Sequence, residues 1–137
     1  MKKVAGTLLE SLKTCDTTKI LSLYDVSDSH IDQENYRTFI KENILSYCKL
    51  FNEVTEKVSI PSLEKLSFTK DPQNGANIAI LSLISRPDTA MNLKSCILYV
   101  MFYPDRFFTE KILRFTIIRE SIRPKEPLKL KKIPFPN

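Results

Sequence analysis

Apolar residues from Met1 to about Val54 recur at three- and four-residue spacings, and from Leu63 to Ile122 they recur mostly at every second position. An α-helix repeats every 3.6 residues and a strand every two, so the chain divides into a helical part followed by a strand part. Val4, Leu8, Leu9 and Leu12 share one helical face, and that helix is expected to end near Thr14 or Cys15. Asp16 suits the cap of a short second helix, because its carboxylate can accept from the backbone N–H of Thr18 or Lys19. Ile20, Leu21, Leu23 and Tyr24 would be the buried side of that helix, and the polar stretch 25–30 reads as a loop. A third helix follows, with Asp32 as its cap and Glu34 in its first turn, where a carboxylate complements the helix dipole. Tyr36, Phe39, Ile40, Ile44, Tyr47, Cys48 and Phe51 line one side of it over about six turns, while Arg37, Lys41, Glu42, Lys49 and Asn52 fall elsewhere. A stripe this broad and aromatic needs a broad surface, and a sheet supplies one.

After Pro61 the period changes. Leu66 and Phe68 alternate with Lys65, Ser67 and Thr69, which predicts a short first strand. Residues 71–75 form a turn in which Asn74-Gly75 suits positive φ. Apolar runs at 76–85, 93–103 and 108–122 predict three longer strands, the last with Leu113, Phe115 and Ile117 on one side and Arg114, Thr116 and Ile118 on the other. Helices first and strands after predict an α+β domain over 1–122, with N-terminal helices packed on an antiparallel sheet of about four strands. The two middle strands are apolar on both sides, so a second covered face is expected beyond the one that takes the helices, by a partner subunit, a loop or the tail. Residues 123–137 form a basic tail whose four prolines oppose helix and ladder alike.

Composition sharpens this in three places. With only Gly6 and Gly75, the chain has no glycine-rich phosphate loop of the Rossmann or P-loop kind. The net charge of +5 belongs to the tail: Arg123, Lys125, Lys129, Lys131 and Lys132 stand there against Glu126, while the other 122 residues hold 16 basic and 15 acidic groups. A basic tail without aromatic platforms or an RNA-binding signature gives little ground for nucleic-acid binding. Cys15, Cys48 and Cys96 make an odd set without CxxC spacing, which fits free thiols in a reducing compartment; one bridge and one free thiol is the alternative. The opening residues 1–13 start like a secretory signal, but Glu10 and Lys13 break the apolar run, and no window is long enough to span a membrane. The sequence as it stands points to the cytoplasm, or to export if a leader has been removed.

The order of helix, short helix, long helix and sheet resembles the nuclear transport factor 2-like superfamily, in the cystatin-like cone fold. Residues 12–24, where a short polar break precedes an apolar helix, are similar to that family's first-to-second-helix step, and residues 107–117 look like its closing strand, where Lys111-Ile112 opens an alternating run. The resemblance covers about residues 4–122 and does not extend to the tail. It implies a curved sheet, a cone-shaped cavity between that sheet and the long helix, and pairing of two copies through the sheet's free face. Members include steroid isomerases and dehydratases as well as non-enzymatic assembly modules, so the fold does not choose a function.

The candidate chemistry is thin. His30 lies in a polar loop, where an exposed role accounts for it better than general-base chemistry, and one histidine without a cysteine pair is too few for a zinc site. Cys48 sits between Tyr47 and Phe51 on an apolar face, which suits a core thiol better than a nucleophile. Asp25, Asp28, Asp32 and Glu34 cluster at a helix start, where capping explains them. Tyr36, Tyr47, Tyr99 and Tyr103 lie on apolar faces, where a buried hydroxyl needs a partner that a ligand can supply; a position at the core's edge, with hydroxyls in water, is the plainer account. Arg114 could anchor an anion if its face is concave, against the plainer account of a solvated strand arginine. The expectation is therefore a non-enzymatic binding or interaction module, with Tyr36, Tyr47, Tyr99, Tyr103 and Arg114 as candidate ligand contacts, a small apolar ligand, a homodimer through the sheet face, and no cofactor, metal or catalytic residue. The alternative is an isomerase- or dehydratase-like enzyme using a cavity carboxylate and tyrosines.

Overall fold

The computed structural model describes residues 1–24, 33–56, 62–102 and 111–123, with the side chains of 33–36 and 39 outside that set. Its elements run α1 (Lys2–Thr14), α2 (Thr17–Ser22), α3 (Gln33–Thr55), a single 3-10 turn (Leu63–Lys65), β1 (Ser67–Lys70), β2 (Asn77–Ser82), β3 (Leu93–Phe102) and β4 (Ile112–Ser121). The four strands form one antiparallel sheet in sequence order, and the helices pack with it as an α+β domain. Among the described residues no helix is long and apolar enough to cross a membrane.

The helical layer follows from its caps and stripes. Cys15 takes a left-handed conformation at the end of α1, φ 52°, and its N–H closes onto Leu12 and Ser11 carbonyls. Asp16 then caps α2, accepting from the backbone N–H of Lys19 at 3.0 Å. Ile20 is fully buried, and Leu21, Leu23 and Tyr24 pack partly buried against the core. Asn52 of α3 donates to the Leu12 carbonyl at 3.1 Å and to the Cys48 carbonyl at 2.8 Å, so one side-chain amide ties the end of α1 to α3. The proposed cap Asp32 and the loop 25–30 lie outside the described residues.

Within the sheet, alternate residues face the helices. Cys96, Leu98, Val100 and Phe102 of β3 meet Ala79 and Leu81 of β2, Phe115 and Ile117 of β4, and Ile40, Ile44, Cys48 and Phe51 of α3 in one buried cluster. The register lines the other face with three cross-strand rows: Thr69, Ile78, Met101, Arg114; Ser67, Ile80, Tyr99, Thr116; and Ser82, Ile97, Ile118. Six of these residues are large and apolar, and Ile118 is 55% exposed.

Two departures from simple alternation matter. Met101 pairs with Arg114 but Phe102 pairs with Ile112, so Leu113 is an extra residue in β4. This bulge turns Leu113 off the buried side, where alternation had put it, and Ile112 fills the core position instead. In addition, β1 is exposed at all four positions. Phe68, opposite Ala79 on the helix side, remains 46% exposed because β1 is the sheet's edge. The turn 71–75 forms as the spacing predicts: Gly75 has φ 73° and its N–H donates to the Asp71 carbonyl at 2.8 Å.

Candidate functional site

The opposite edge of the sheet, β4, carries a concavity. The Ile112 N–H donates to the Leu23 carbonyl at 2.8 Å, and Tyr24 forms a parallel bridge with Ile112, so the chain leaving α2 covers the start of the edge. Beyond it, α3 brings Tyr47 against β4. The Tyr47 ring lies 5.3 Å from the Phe115 ring at 52°, and Tyr24 lies 6.2 Å from the same ring at 50°, both tilted arrangements within the range of favourable aromatic pairs. The Tyr47 hydroxyl is 2.9 Å from the Thr116 hydroxyl. Thr116 faces away from the helices by alternation with Phe115 and Ile117, so Tyr47 reaches past the β4 edge to meet it.

These groups wall a cleft of about 770 Å³, within the size range of small-molecule sites. Tyr24, Ile40, Asn43 and Tyr47 form its helical side; Met101, Leu113, Arg114, Phe115 and Thr116 form its sheet side; Asp71, Gln73 and Asn74 of the β1–β2 turn close one end. A smaller depression of about 170 Å³ adjoins it on the sheet's outer face, lined by Ile78, Tyr99, Met101, Arg114, Phe115, Thr116 and Ile118.

Three of the five ligand contacts read from the sequence meet here: Tyr47 and Arg114 at the cleft, Tyr99 and Arg114 at the outer depression. Tyr36 belongs to the start of α3 with its side chain outside the described set, and Tyr103, like His30, Asp25, Asp28 and Asp32, lies outside the described residues. Glu34 lies in the first turn of α3, its side chain likewise outside the set. Tyr24, Asp71 and Thr116 escaped sequence reasoning as site residues. Tyr24 reads as a helix-face residue and Asp71 as a turn residue, and nothing local shows that the chain folds both toward β4.

Asp71 uses its Oδ1 to accept from the Gln73 N–H at 2.8 Å, a turn-stabilising role. Cys48 is a core thiol: burial, reinforced by the neighbouring Cys15 thiol, pushes its pKa up to about 12. Burial also pushes the Cys96 thiol up. The described cysteines are all free thiols, and among the described residues no group of three or more His, Cys, Asp or Glu side chains could hold a metal ion.

No protein-family model matches the chain, no curated protein matches it, and no solved structure matches it.

Proposed function

We propose that the chain is a non-enzymatic binding module of the cone-fold type, which takes a small apolar ligand in the cleft beside β4 and pairs with a second copy across the outer face of its sheet. The carrying observation is where apolar surface is accessible. Between α3 and the sheet, Ile44, Phe51, Leu98, Val100 and Phe102 are closed to solvent. Besides the separate Leu45 and Phe68, accessible apolar surface lies at the β4 edge, where Leu113 is 37% exposed, and on the outer face around Ile118. The likeness in element order to the nuclear transport factor 2-like superfamily supports the same reading.

An isomerase or dehydratase would need a carboxylate in the cavity at hydrogen-bonding distance from a tyrosine. Asp71 is the carboxylate of the cleft wall, and its hydrogen bond goes to the Gln73 backbone, while the Tyr47 hydroxyl goes to Thr116. The geometry of the described residues therefore supports binding over acid–base chemistry.

Titration with a neutral solvatochromic dye tests the reading. Saturable binding at one site per chain is expected, and Leu113→Asp, which puts a charge into the apolar wall, should weaken it about tenfold. Unsaturable uptake, or an unchanged affinity in the variant, would contradict it.

A further inference from the structure

The cleft and the outer depression are continuous in their walls: Met101, Arg114, Phe115 and Thr116 line both. Arg114 therefore stands where the two meet. It is exposed, sits opposite Met101 in the register, and has no carboxylate partner among the described residues, whose ion pairs are Lys13–Glu10 and Lys94–Glu120. A guanidinium is always charged, weakly hydrated and shaped as a flat fork of donors, which suits it to a carboxylate held by two parallel hydrogen bonds. Beside it the half-buried rings of Tyr24 and Tyr47 both lean on the buried Phe115, so the aromatic surface left at the cleft wall belongs to the two tyrosines.

We propose that the cleft takes a flat apolar molecule bearing a single carboxylate, with the carboxylate on Arg114 and the apolar body against Tyr24 and Tyr47. This rests on the binding reading above and adds a ligand class to it. One opposing charge shares the cleft. Asp71 would repel an anion and attract an amine, but its Oδ1 is already directed at the Gln73 N–H. Among the described residues Arg114 carries no carboxylate while one oxygen of Asp71 is engaged, a difference that favours an anion on Arg114 over a cation on Asp71.

Calorimetric titration of the full chain with three probes of one body tests this: 1-naphthylacetate, its neutral amide 1-naphthylacetamide, and 1-naphthylmethylamine. The acid is expected to bind one per chain and about tenfold tighter than the amide, the gain of a charge-assisted contact at a partly exposed site. Arg114→Gln should bring the acid down to the affinity of the amide, so that the ratio between the two falls to about one. Equal binding of acid and amide to the wild type would overturn the anion site while leaving the binding module standing. So would an acid preference that survives Arg114→Gln. Tighter binding of the amine would overturn it in favour of Asp71 as the anchor. Failure of all three probes to bind would remove the binding reading and this site together.

Discussion

Single residues decide how the helical stripe meets the sheet, and Cys48 shows it most plainly. Its thiol is buried among apolar neighbours beside Cys15, and an ionised thiolate there would lose its solvation. The consequence is a pH dependence of stability with a definite sign. Below the ordinary value of 9.0 the thiol is protonated in both folded and unfolded chains, and its contribution is complete. Between 9.0 and about 12 the unfolded chain releases the proton while the folded chain retains it, so stability falls across that window. Urea unfolding of the wild type and Cys48→Ala at a series of alkaline pH values isolates this term from the tyrosines and lysines common to both. The gap between the two proteins should narrow as pH rises above 9.0; a constant gap would show that the thiol ionises alike in both states. Arg114 is the opposite kind of residue: alternation in the sequence shows its face, but not the cleft in front of it.

At the scale of elements, α3 and β4 are the pair on which the site depends, and Tyr47 is their polar link. Its hydroxyl bond to Thr116 joins residues 69 apart across a half-exposed edge. Tyr47→Phe keeps the ring against Phe115 and removes only that bond, so a loss of about 0.5–1.5 kcal/mol is expected in chemical denaturation. A loss near zero would mean that water replaces Thr116 at no cost. The three helices and the four strands were legible because their signals are local: the stripe Ile40, Ile44, Cys48, Phe51; the cap Asp16; the Asn74-Gly75 turn. The β4 bulge was not legible, because Ile112 and Leu113 are both apolar and either could hold the core position. The turn at Asn92 was equally silent. Its φ of 55° and the bonds of its side-chain amide to the Arg123 backbone, at 3.0 and 3.3 Å, pin the end of β4 through a contact 31 residues away. Of the site, the sequence carried the residue types at Tyr47, Tyr99 and Arg114, but their meeting depends on pairings between β3, β4 and α3 that no local pattern encodes.

For the whole molecule, the doubly apolar middle strands that the sequence displays now have separate destinations. One face of β2 and β3 closes against the helices, and the other presents Ile78, Ile80, Ile97, Tyr99 and Met101 beside Ile118 of β4. A contiguous apolar face of this kind on a small domain marks a surface for association. The second copy proposed above would occupy this face. The cleft lies round the β4 edge and shares Met101, Arg114 and Thr116 with the outer face, so ligand and partner would use adjoining surfaces that meet at these residues. Native mass spectrometry of the wild type and Ile118→Lys, each with 1-naphthylacetamide, reads both surfaces at once. The expected result is a wild-type dimer holding one amide per chain, and a monomeric Ile118→Lys that still holds one. A wild type that is monomeric at about 10 μM, where a dimer of about micromolar Kd would be mostly assembled, and that retains no amide, would contradict the reading of this chain as a binding module.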